Sequence, residues 1–88
     1  MNARVYTVVV PERRAFSIQL GEVLRQERES QGMSQRDCAL LLGIEPSKLC
    51  RWERGLLELS TFQLLQWSRV MGRDVGQLVT HAAEALEN

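Results

Sequence analysis

Residues 34–55, SQRDCALLLGIEPSKLCRWERG, constrain this chain more than any other stretch. They spell two short helices that cross through a tight turn. Ser34 is placed to cap the first helix, and Asp37 follows three residues later, the spacing of a capping box. Leu41 and Leu42 end that helix, and Gly43 supplies the left-handed residue that closes it. Pro46 opens the second helix at its first position, where a missing N–H costs nothing. Ala39 is small where the two helices approach most closely, and Ile44, Leu49 and Trp52 supply apolar contacts around it.

The bulk properties narrow the classes available. Eighty-eight residues suggest one small domain, for which oligomerisation is a natural supplement to a modest core. A hydrophobic share of 44% and a charged share of 25% are those of an ordinary globular protein. The apolar runs are too short to span a bilayer, and MNARVYTVVVPERR lacks the pattern of a signal peptide, so a cytoplasmic location without membrane contact is expected. The formal net charge of zero argues against an indiscriminate polyanion binder, but not against a reader with locally placed charge. The basic residues are ten Arg and one Lys, which suits bidentate contacts to phosphate and guanine.

Cys38 and Cys50 read as free thiols, Cys38 at a core position and Cys50 at a more exposed one. With the single His81 and no CxxC pair, neither a metal nor a cofactor is expected. The chain has no nucleophile–base pair, no metal-ligand cluster and no glycine-rich phosphate loop, so it does not read as an enzyme.

Five helices and one strand are expected along the chain, giving an all-α fold with an N-terminal β extension. Residues 4–10, RVYTVVV, have strand character and end at Pro11. A lone strand needs a partner for its backbone groups, and the simplest is the same strand in a second copy. Val5, Tyr6, Thr7, Val8, Val9 and Val10 are therefore the oligomerisation candidates; the alternative is an arm lying along its own domain. The organisation expected is an arm over residues 1–15 and a helical domain over 16–88. The first helix is expected from Ser17 to Gln31, closed by Gly32. Gly55 ends the third, and Leu56, Leu57 and Leu59 make the following loop unusually apolar. Ser60 and Gln63 start a fourth helix, and Asp74 starts a fifth whose stripe of Val75, Leu78, Val79, Ala82 and Leu86 suits packing on its own core or on another subunit. Trp52 and Trp67 fall at core positions, and His81 at the surface.

From about Leu20 to Leu78 the chain resembles the Xre/Cro/C1-type helix-turn-helix family of phage and bacterial repressors. The segments carrying the resemblance are LRQERESQGMSQ, ALLLG, RWERG and STFQLLQWSRVMGRD. The resemblance implies a second helix of the motif presented to a DNA major groove. By position it implies base-reading roles for Pro46, Ser47, Lys48 and Arg51, and backbone contacts from Gln35, Arg36 and Arg54. Gln35 would also brace the recognition helix. It implies a structural ion pair between Arg28 and Glu53. Two positions depart from the pattern: Pro46 can make only apolar contact with a base, and Glu45 stands where Ser or Thr usually caps. The implied function is a sequence-specific transcriptional regulator reading an inverted repeat in double-stranded DNA as a homodimer, a repressor in the mode of this family, with activation also compatible with the sequence. A tetramer is compatible with the two available contact elements. The alternatives are an antitoxin that also binds a toxin, and an interaction module with a protein partner and no DNA.

Overall fold

The computed structural model describes residues 12–87, and every regular element among them is helical. The strand read at residues 4–10 lies outside them. The helices are α1 (Arg13–Ser30), α2 (Gln35–Leu42), α3 (Pro46–Glu53), α4 (Thr61–Met71) and α5 (Val75–Glu87). α1 is the spine, packing against α3 and α5. α2 crosses α3 and touches α4, and α4 meets α5.

Helix starts follow local hydrogen bonding. The Ser34 hydroxyl accepts from the Asp37 amide at 3.0 Å. At α4 both halves of the capping box form: Gln63 N–H donates to Ser60 Oγ, and Ser60 N–H donates to Gln63 Oε1. Asp74 Oδ1 accepts from the Gln77 amide at the head of α5. Each such cap is worth about 1 kcal/mol.

The first helix departs from the expectation. α1 begins at Arg13 and not at Ser17, because the Glu12 carboxylate accepts from the amides of Arg14 and Ala15, both at 2.9 Å. These hydrogen bonds hold the carboxyl of Glu12 below its usual range. The extra turn puts Phe16 against the core. It also sets Arg13 beside Glu58 of the loop after α3, with contacts of 2.5 and 2.6 Å.

The core joins all five helices. Leu24, Cys38, Ala39, Leu49, Trp67 and Ala82 are fully enclosed, and Trp52 almost so. Leu59 packs on this core, whereas Leu56 and Leu57 stay partly exposed. Burial pushes the Cys38 thiol up to about 11.

Candidate nucleic-acid interface

The α2–turn–α3 unit owes its shape to three local choices. Gly43 takes φ 69° and ψ 31°, a left-handed conformation that costs other residues roughly 1–2 kcal/mol. Its amide bonds back to the Leu40 carbonyl, and the Ile44 amide to that of Ala39. Pro46 fixes the first turn of α3. Glu45, the residue before it, is extended and makes no side-chain cap, so this helix starts without the hydrogen bond that Ser34 provides for α2.

α3 then divides by side. Leu49, Trp52 and Glu53 are buried. Pro46, Ser47 and Arg51 are exposed, and Lys48 is half-buried with its ammonium 5.7 Å from the Trp52 ring centre. Ser47, Lys48 and Arg51 line one shallow cleft with the turn residues Gly43, Ile44 and Glu45. Arg54 is exposed at the end of α3, and Arg36 is exposed on the first turn of α2.

Behind this surface lies a buried polar knot. Arg28 Nε and Nη2 donate to the two carboxylate oxygens of Glu53 at 2.6 and 3.0 Å. Arg28 Nη1 donates to the Met33 carbonyl at 2.6 Å. Gln35 Nε2 donates to Glu53 Oε1 at 2.9 Å. One carboxylate thus joins α1, the start of α2 and the end of α3. The Glu53 hydrogen bonds raise the Arg28 pKa further above its ordinary value. The amide of Gln35 is turned inward to this knot, while its side chain remains half-exposed.

Two contributors escape sequence reading. The Met33 carbonyl is a backbone group, invisible in a side-chain pattern. Gly21 lies inside α1 where α3 crosses it: an added Cβ would sit 2.4 Å from the Trp52 carbonyl oxygen and 2.6 Å from that of Glu53. A glycine in the middle of a helical run, which costs helix stability, is the signal that points to it.

The geometry is that of a helix-turn-helix unit, and a family model described as a helix-turn-helix domain matches residues 19–82. The chain belongs to that family. Among solved structures it is similar to the clp gene regulator ClgR from Corynebacterium glutamicum, at 28% identity and a TM-score of 0.78, over 88% of this chain and 79% of that one. It is also similar to the restriction-modification controller protein C.AhdI from Aeromonas hydrophila, at 28% identity and a TM-score of 0.70, over 73% of this chain and 97% of that one. A third likeness is to hydroxypropylphosphonic acid epoxidase from S. wedmorenis, at 35% identity and a TM-score of 0.66, over 70% of this chain but 33% of the enzyme. Comparison with curated proteins gives no match. No helix among the described residues is long and apolar enough to cross a membrane.

Proposed function

We propose that this chain is a DNA-binding transcriptional regulator, acting as a repressor that reads an inverted repeat as a homodimer with α3 in the major groove. The observation that carries this reading is the division of α3: an outward side bearing Ser47, Lys48 and Arg51, and an inward side locked to α1 and α2 through Glu53. A rigid helix with exposed cationic and hydroxyl groups is what direct readout requires.

In this proposal Arg51 reaches guanine O6 and N7, worth about 1–3 kcal/mol of discrimination. Lys48 reads a neighbouring base edge, at the expense of its contact with Trp52. Ser47 and Pro46 contact bases more weakly, Pro46 through apolar contact alone. Arg36 and Arg54 meet phosphates on either side. Gln35 braces α3 through Glu53 and reaches the backbone only with its remaining donor. The regulator neighbours support the class. The likeness to the epoxidase is confined to a third of that enzyme, and no enzymatic activity is inferred from it. The helical domain of this proposal includes α1 from its start at Arg13.

Selection of binding sites from random duplex DNA at near-physiological salt tests the reading. The expected result is an enriched inverted repeat with half-sites about 10 bp apart. Arg51→Ala should lose the preference at one base pair per half-site. No enrichment from a folded chain would overturn the reading in favour of an interaction module. Exposed Leu40, Leu41 and Phe62 would then be the first surface to probe.

A further inference from the structure

We infer that Glu45, the residue just before α3, reads a cytosine in the major groove and so sets part of the sequence preference. This rests on the DNA-reading proposal above and adds an acceptor to its set of donors. Glu45 is exposed and lines the same shallow cleft as Ser47, Lys48 and Arg51. Its side chain caps nothing, and no ion pair among the described residues includes it.

The other helix starts make this absence informative. Ser34, Ser60 and Asp74 each accept from a backbone amide. Glu12 shows that a glutamate can do the same in this chain, accepting from two amides at the head of α1. Glu45 does not, so its carboxylate is left for a contact outside the fold. Its backbone is already fixed for that contact. Pro46 disfavours a helical conformation in the residue before it, and Glu45 is extended at φ −77° and ψ 144°.

A carboxylate among cations is a poor phosphate site, because it repels the ligand. A base edge differs from a phosphate in offering hydrogen-bond donors. Cytosine presents its N4 amino group in the major groove, and a glutamate accepts from it. Lys48 and Arg51 carry donors alone and cannot take that hydrogen, whereas an ionised Glu45 is an acceptor alone. Adenine also offers an amino group, but its N7 acceptor lies beside it and repels a carboxylate. The N-terminal residues of a recognition helix are the ones that meet base edges. Six residues separate Glu45 from Arg51, about 9 Å along a helix, whereas base pairs repeat every 3.4 Å or so. The two side chains therefore meet different base pairs.

The test is selection from random duplex DNA with the parent chain and with Glu45→Gln, followed by affinities for the selected site and its single-base variants. Glutamine keeps the size, loses the charge and pairs with adenine N6 and N7. One position per half-site should change from cytosine to adenine, while the position read by Arg51 stays as it was. The preference for cytosine over adenine there should fall about tenfold or more. An unchanged melting temperature checks that the variant keeps its fold. A change in affinity that is uniform across sequences would show that Glu45 acts on DNA through charge alone, and would overturn the inference. No change in preference or affinity would overturn it equally. No enrichment with the parent chain would instead fell the DNA-reading proposal itself, and this inference with it.

Discussion

The seam between α1 and α3 and the outer surface of α3 are separated by the thickness of one helix, yet they obey opposite rules. At the seam there is no slack. Backbone lies against the Cα of Gly21, and a bidentate ion pair with a third amide partner is closed off from water. On the outer surface the side chains of Ser47 and Arg51 make no hydrogen bond to any described residue, and the α3 start even lacks a side-chain cap. A short helix can thus be locked on one side and open on the other. Eight residues are too few to be a stable helix alone, so tertiary packing must supply the rigidity that the exposed side requires.

The strongest way to break this contrast is to remove half of the buried pair. Arg28→Ala leaves the Glu53 carboxylate enclosed without its cation and should cost about 3–5 kcal/mol in urea unfolding. Replacing both members by apolar residues, as Arg28→Met with Glu53→Leu, should recover most of that loss. If the double variant is as unstable as the single one, the cost lies in lost packing rather than in an orphaned charge.

Gly21→Ala probes the seam without touching charge. Its methyl would press on two backbone carbonyls that cannot rotate away, so a loss of about 1–3 kcal/mol is expected despite the better helix propensity of Ala. Thermal melting checks it, and an unchanged or raised Tm would show that α3 can back away at little cost.

Cys38 reports on the same interior through pH. Its thiol is raised in the fold to about 11 from an ordinary 9.0, so native and unfolded chains are both protonated below about 9. Above that the unfolded chain ionises first. Stability should therefore fall between about pH 9 and about pH 11, by at most about 1.4 kcal/mol per pH unit. Cys38→Ala should remove that part of the slope, as measured by urea titrations across the range.

Gly43→Ala sharpens the contrast from the turn side. Open space surrounds the position, so only the left-handed backbone resists a side chain, and about 1–2 kcal/mol is expected in the same melts. The smallest stability effect belongs to the outer surface. Arg51→Ala should leave unfolding within about 0.5 kcal/mol of the parent chain while weakening binding to the selected DNA by about 1–3 kcal/mol. A large loss of stability there would move Arg51 from the reading surface to the fold.

The order of helices was legible because their signals are local. Ser34, Gly43, Pro46, Ser60 and Gly72 act within one turn of themselves, and the apolar spacing of α4 and α5 needs no partner to be seen. The start of α1 was not legible. Glu is an uncommon cap; what favours the earlier start is also the docking of Phe16 and Arg13 on distant parts of the chain. The family resemblance pointed to Arg28 and Glu53 as an ion pair and to Gln35 as a brace of α3, without joining the three. Their convergence on one carboxylate, and the Met33 carbonyl that completes it, belong to the fold.

The sequence by itself determined the class of this chain: a five-helix order around a tight turn, with glycine and proline where the backbone demands them. The tertiary structure decided which side of the turn is locked inward and which is left open. Which residues of α3 face inward depends on how α1 crosses it, and that crossing depends on Gly21, a residue whose role is defined only by the backbone laid against it. Caps and turns are set by neighbours in the chain. Burial, close approach and the meeting of charges are set by neighbours in space, which residue order alone does not display.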